Sequence, residues 1–234
     1  MESVTGFRRP AGGTNPLNAW DAYGSTVKRT PKRAPVRIDH TLTEVTGPAP
    51  GAAEFGPSVT DLTHHAGGEA VGERMTVSGF VVDEDGRPLP NTVIEIWQCN
   101  AAGRYAHPVD QHDAPLDPHF LGVGHAMTDA DGAYRFLTVR PGAYPWRNHK
   151  NAWRPPHIHF GLFGPGFATR LITQMYFAGD PLLPFDPIYN SIPDAAARER
   201  LCARFEMDLT QPEFALGYRF DFVLRGRDAT PMET

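Results

Sequence analysis

The feature that most constrains this chain is how often its apolar runs are broken by turn residues. From Glu73 onward, short stretches of β-formers stop at Gly, Pro or Asp every few residues. Met75-Thr76-Val77-Ser78-Gly79-Phe80-Val81-Val82 ends in Asp83-Glu84-Asp85-Gly86, and Thr92-Val93-Ile94-Glu95-Ile96-Trp97 follows. Thr128-Asp129-Ala130-Asp131-Gly132 is a second turn leading into Ala133–Val139, which Pro141-Gly142 closes. His157–Leu162, Leu171–Phe177 and Ala215–Leu224 read as further strands, the last with Tyr218, Phe220 and Phe222 on one face. Asp and Gly supply the turn geometry, and β-branched and aromatic residues suit the strands between them. With 23 glycines and 23 prolines in 234 residues, many turns are favoured over long helices. The pattern predicts an all-β chain with an antiparallel β-sandwich core. One short helix is predicted towards the C-terminal side, over Asp194–Phe205, with Asp194 as its cap and Ala195, Ala196, Ala197 and Leu201 favouring it.

Residues 1–70 differ from the rest. Pro10, Pro16, Pro31, Pro35, Pro48, Pro50 and Pro57 interrupt them and apolar periodicity is absent, so a long extended N-terminal arm is expected before a sandwich domain over 71–234. Trp20, Tyr23, Ile38 and Leu42 give the arm something to dock with, and a single helical turn is expected near Val59–His64. The formal net charge of -5, with acids and bases interspersed, gives no reason to expect nucleic acid or a membrane surface as partner. The start MESVTGFRRP lacks the apolar core of a secretory signal, and no apolar run nears the roughly 18 residues of a membrane span. Cys99 and Cys202 are too few for a disulfide framework and are expected as packing residues in a cytoplasmic protein.

Chemistry enters with Arg154-Pro155-Pro156-His157-Ile158-His159-Phe160. Side chains alternate across a strand, so His157 and His159 share one face while Ile158 and Phe160 point to the other, into a core. Two imidazoles at i and i+2 can hold one metal ion, but the same spacing also suits a polar sheet face. A ferrous site of two histidines and a carboxylate would want an acid nearby, and the neighbouring residues supply none. A structural zinc site would want cysteines, which here stand apart. A three-histidine zinc site could recruit His119, His125 or His149. Tyrosinate is the remaining choice, and spacing does not select among seven tyrosines. From the residues alone the reading ends at a metal-binding β-sandwich, beside a non-catalytic sandwich module that binds a partner.

Four blocks carry the matter further. They are Pro90–Tyr105; Ala114-Pro115-Leu116-Asp117-Pro118-His119-Phe120; Pro141-Gly142-Ala143-Tyr144-Pro145-Trp146-Arg147, running on to Trp153–Phe160; and Leu171–Phe177 with Gly179-Asp180-Pro181. Together with Tyr23 and Arg29-Thr30-Pro31 of the arm, they resemble the intradiol ring-cleaving dioxygenases over nearly the whole chain. The strand-and-turn segments recur in many non-catalytic sandwiches and report fold only. The two-tyrosine, two-histidine set in its context is far more specific, and every position of it is filled. The resemblance implies a non-haem Fe(III) ion on Tyr105, Tyr144, His157 and His159, with O2 as co-substrate. It implies that Tyr144 also accepts a substrate proton and that Arg154 stands beside the bound catecholate. Tyr23, Arg29, Trp146, Gln174 and Ile188 would contact the substrate, a small aromatic diol. Because the arm is Pro-rich rather than helical, the likeness is to members that act on protocatechuate, and it implies a homologous alpha subunit in a hetero-oligomer. Other histidines (His107, His112, His119, His125) are expected on loops or the surface, and Trp97 and Trp153 in the core.

Overall fold

A computed structural model describes residues 8–36, 38, 55–146, 152–164 and 170–233. Leu42, His149 and the first seven residues lie outside the described residues. Thirteen strands are present: β1 His64–His65, β2 Gly68–Glu69, β3 Arg74–Val82, β4 Val93–Trp97, β5 Val123–Met127, β6 Ala133–Val139, β7 Tyr144–Trp146, β8 Ala152–Arg154, β9 His157–Phe163, β10 Arg170–Phe177, β11 Cys202–Phe205, β12 Leu216–Arg219 and β13 Phe222–Val223. Short helices among the described residues include α1 Gly24–Arg29, α2 Pro187–Asn190 and α3 Ala195–Glu199.

The main sheet runs β13-β3-β12-β11-β10-β9-β4-β5, with β6 paired to β3. Rings show how it folds back into a sandwich: Phe136 of β6 and Phe222 of β13 both pack on Phe160 of β9, at centroid distances of 5.9 and 5.1 Å. Met75, Val77, Ile94, Ile96, Ile158 and Leu162 fill the space between the two halves and are wholly buried. Ile158 and Phe160 therefore point inward, as the alternation of β9 requires. Two turns close the strands in one way. Asp83 accepts from Asp85 and Arg87 backbone N–H groups, and Asp129 does the same for Asp131 and Ala133. In each, a glycine takes the left-handed position the turn needs, Gly86 at φ 75° and Gly132 at φ 72°.

Most ladders are antiparallel, but β10–β11, β12–β3 and β13–β3 are parallel. The first follows a crossover that carries α2 and α3, and it explains why the predicted helix is too long. Asp194 caps α3 through the Ala196 N–H, yet the helix stops at Glu199. Cys202 and Ala203 leave it to pair with Tyr176 and Phe177, so a tertiary ladder overrides local helix propensity. Near Val59–His64 there is no helical turn. Val59 bridges to His125 and Asp61 to Leu137, while the Asp61 carboxylate gathers the Thr63 N–H, the Thr63 hydroxyl and His64 Nδ1. Strands β1, β2, β5, β7, β8 and β11 and helices α1 and α2 are not expected from the sequence.

The described part of the arm lies on its own sandwich. Leu17 N–H donates to Ser191, Gly13 accepts from Asp194, and Tyr23 packs its edge on Trp146 at 4.9 Å. Tyr23 is buried and Trp20 partly so, whereas Ile38 is exposed. Neither bulky tryptophan expected in the core is there. Trp153 is half exposed, and Trp97 stacks on His159.

Candidate metal centre

Three pieces of backbone bring the four expected ligands together. His157 and His159 stand on β9, held between β10 and β4: His159 faces Gln174 on one side and Trp97 on the other, and His157 faces Tyr176. Tyr144 opens β7, where its direct partner across the hairpin is Arg154. Tyr105 sits at the end of a loop that buried polar residues build. Asn100 Oδ1 accepts from the N–H groups of Ala102 and Arg104, and its amide donates to Pro115. The Asn100 carbonyl takes the N–H of Gly142, which fastens the Tyr105 loop to the strand end before Tyr144. Gln98 adds a bond to the Val139 carbonyl, and Asp110 accepts the N–H of Tyr105. Gly103 is required here: at φ 81°, a Cβ would meet the Ala143 carbonyl oxygen at 2.4 Å.

The four rings converge. Centroid distances are 4.8 Å for His157–His159, 5.5 Å for Tyr144–His157, 5.6 Å for Tyr105–Tyr144 and 6.4 Å for Tyr105–His159. His157 Nδ1 lies 2.7 Å from the Pro155 carbonyl and His159 Nδ1 lies 3.0 Å from the Glu233 carboxylate. A carbonyl can only accept, so the His157 proton is on Nδ1. Its Nε2 lone pair faces the Tyr144 hydroxyl at 3.2 Å. At His159 the Glu233 carboxylate likewise takes Nδ1–H, so in the neutral ring Nε2 is the acceptor. Histidines in metal sites are held in this way.

Burial drives these donors toward their neutral forms. Burial pushes the Tyr105 phenol well above its ordinary range, and the neighbouring Tyr144 adds to that. Burial also raises Tyr144, with the Arg154 charge opposing it. Burial, then Arg154 and His159, hold His157 well below the usual imidazole range. The Tyr105 hydroxyl is buried without a hydrogen-bond partner among the described residues. An orphaned buried phenol is unfavourable unless something completes it. Two phenols and two neutral imidazole acceptors form a hard, potentially dianionic donor set that fits a ferric ion. Among the described residues no group of three His, Cys, Asp or Glu side chains could hold a metal, so the three-histidine zinc alternative has no site among them. His119 instead contacts the His65 carbonyl, and His125 lies on β5 beside Phe55.

Tyr105, Tyr144 and His159 face a cleft of about 760 Å³ whose walls include Trp97, Leu121 and Val123. His157 is fully buried behind them. The expected substrate residues do not line this cleft. Tyr23, Trp146, Arg154 and Gln174 pack as one cluster beyond Tyr144, with the Arg154 guanidinium 5.8 Å from the Trp146 ring and bonded to Gln174. Arg29 lies over Tyr23 and faces a second cavity of about 370 Å³ beside Asn15 and Glu233. Ile188 is half-buried in α2, and its N–H donates to Asp186.

Several residues here escaped the sequence reading. Arg154 is fully buried and its Nε and Nη2 both donate to Asp186, itself wholly inaccessible. Tyr176 accepts from Arg154 and donates to Gln174. Desolvation works against the Arg154 charge, but Tyr176 and Asp186 outweigh it and the guanidinium stays protonated. Asp186 carried a usable signal, standing before Pro187 as a helix cap; Glu233 carried none.

A family model described as "Dioxygenase" matches residues 45–226, and one described as "Protocatechuate 3,4-dioxygenase beta subunit N terminal" matches residues 7–41. The chain belongs to the intradiol dioxygenase family, ring-cleaving enzymes that generally depend on non-haem iron. It is 58% identical over 222 residues to a protocatechuate 3,4-dioxygenase beta chain from Burkholderia cepacia, covering 94% of each. A catechol 1,2-dioxygenase from Candida albicans is 36% identical over 143 residues, covering 56% of this chain and 43% of that one. Among solved structures, the dioxygenase domain of a carbohydrate-binding fusion from Streptomyces sp. SirexAA-E superposes with a TM-score of 0.53 at 29% identity, covering 80% of this chain and 99% of its own. The β-sandwich is thus the fold of the family.

Proposed function

We propose that this chain holds Fe(III) on Tyr105, Tyr144, His157 and His159. With O2 it would cleave protocatechuate, 3,4-dihydroxybenzoate, between its hydroxyls to 3-carboxy-cis,cis-muconate. The observation that carries the proposal is the convergence of two phenols on two imidazoles whose Nδ1 atoms are both engaged. Ferric iron so held would acidify a bound catechol and draw electron density from its ring, which opens the ring to O2.

The chain's own residues supply the rest. Tyr144 Oη, beside His157 Nε2 and within the field of Arg154, is placed to take a hydroxyl proton from the arriving diol. Arg154 contributes a fixed positive charge for the anionic ring, held by Asp186 so that it needs no reorganisation. We assign substrate contacts to Tyr23, Arg29, Trp146, Gln174 and Ile188 on the family likeness alone, since none of them lines the cleft at Tyr105, Tyr144 and His159. We divide the chain into an arm over 1–70 and a catalytic sandwich over 71–234. We assign it a homologous alpha subunit as partner and a cytoplasmic setting. The exposed apolar residues Leu116, Leu121, Val123 and Trp153 support such a partner, and among the described residues no helix is long and apolar enough to cross a membrane.

Oxygen uptake with protocatechuate and with catechol, alongside an iron assay, tests the activity. Tyr105→Phe and Tyr144→Phe should each weaken and shift the visible phenolate-to-iron absorption. Tyr144→Phe should also lower turnover by about 10²–10⁴-fold, the usual weight of a positioned proton acceptor. Spectra unchanged in both variants would remove the tyrosines from the metal.

A further inference from the structure

The two histidines of the centre are held by partners of very different origin. His157 donates to Pro155, two residues away on the same segment. His159 bonds instead to Glu233, 74 positions along the chain. That carboxylate is brought in by a laid-down segment. Thr230 N–H bonds the Val223 carbonyl, the Thr173 hydroxyl bonds the Pro231 carbonyl at 2.6 Å, and Glu233 N–H bonds the Ile172 carbonyl at 2.7 Å. The last bond is available because β11 covers only the Tyr176–Phe177 end of β10. Met232 N–H is taken by Asn15 of the arm at 3.0 Å.

We propose that Glu233 is a positioning residue for the metal centre: by accepting from His159 Nδ1 it fixes which imidazole nitrogen faces the iron and how the ring is turned. The inference rests on His159 being an iron ligand. Trp97 stacks on the ring within 8° of parallel and so sets its plane. Stacking leaves rotation within that plane open, and it does not distinguish the two tautomers. An acceptor at Nδ1 removes both freedoms and makes Nε2 the stronger donor. The centre is then completed only when the 229–233 segment is seated, and Asn15 ties that seating to the arm.

The test uses the full chain, loaded with iron, as parent, Glu233→Ala and Glu233→Gln. Iron affinity is read by chelator competition, and the melting temperature of the iron-free forms is read separately. Glu233→Ala should bind iron about 10–100-fold more weakly while its iron-free form stays folded at the assay temperature. Glu233→Gln keeps an acceptor oxygen at similar reach and should restore most of the loss. Parent-like iron affinity in Glu233→Ala overturns the proposal, as does a Gln variant as weak as the Ala variant. An iron-free Glu233→Ala that melts lower, with iron loss tracking its unfolding, places the residue in the fold and also overturns it. A parent that binds no iron removes His159 as a ligand and takes this inference with it.

Discussion

This sandwich has two interiors, and they hold together by opposite rules. Between the sheets, Phe136, Phe160, Phe220 and Phe222 pack with Met75, Val77 and Ile158, and none needs a particular partner. Behind the candidate metal centre, Arg154, Asp186, Gln174 and Tyr176 are just as buried, yet each polar bond there names its acceptor. Apolar packing is tolerant because dispersion and burial are non-directional and summed over many atoms. The polar layer is exacting because losing one member strands another in a medium that solvates it poorly. The lesson is a division of labour: the first interior supplies stability, and the second spends part of it to hold a charge and two neutral imidazoles where chemistry needs them.

The two interiors should differ most at Asp186. Asp186→Ala leaves a fully buried guanidinium without its counter-charge and also uncaps α2. A stability loss of about 3–5 kcal/mol is expected from the stranded charge, measured by denaturant unfolding of the iron-free protein. A loss no larger than that of Phe222→Leu, about 1 kcal/mol, would mean the two interiors obey one rule after all.

Arg154→Lys keeps the charge of the polar interior and removes the planar fork. Nε and Nη2 of Arg154 together reach Asp186, Gln174 and Tyr176, and one ammonium cannot reproduce that fan. Iron content should stay at the parent level while turnover falls about 10²–10³-fold, the scale of losing a preorganised donor. Lost iron with unfolding would make Arg154 structural only. Parent turnover would remove it from the mechanism.

The same two interiors explain what the sequence could tell. Strands β3, β4, β6, β9 and β10 were legible because alternation and Asp–Gly turns are local signals. β5 was not, since Val123 and Met127 are exposed and Gly124 interrupts its pattern. β11 was hidden in an Ala-rich run, because what makes it a strand is pairing with β10, a non-local fact. At the site, the period of two on β9 put His157 and His159 on one face without help. The tyrosines came only through family resemblance, since a phenol carries no spacing rule. Asp186 and Glu233 joined the site by distant packing, and only three dimensions reveal that.

The smallest effect expected is on pH, and it separates the interiors by sign rather than size. His157 is fully buried and stays neutral when folded, its imidazole held well below the usual range by burial and then by Arg154 and His159. Unfolded, it should titrate near the ordinary value of about 6.5. Below that pH the unfolded chain takes up a proton that the folded chain refuses, so acid favours unfolding. Stability present above about pH 6.5 should therefore decline by up to about 1.4 kcal/mol per pH unit as the solution is acidified. Glu233 does not confuse this window. Burial tends to raise its carboxyl, but His159 brings it below the carboxylate range, so its share is lost only below about pH 4.3. Melting of the iron-free protein between pH 7.5 and about 5 checks the claim, with His157→Gln and Phe222→Leu alongside. The Gln variant should flatten the slope. The Leu variant should lower every point and leave the slope as it was, because nothing in the apolar interior titrates. Equal slopes in all three proteins would show that His157 does not set the acid limit and that the polar interior carries no linkage of its own.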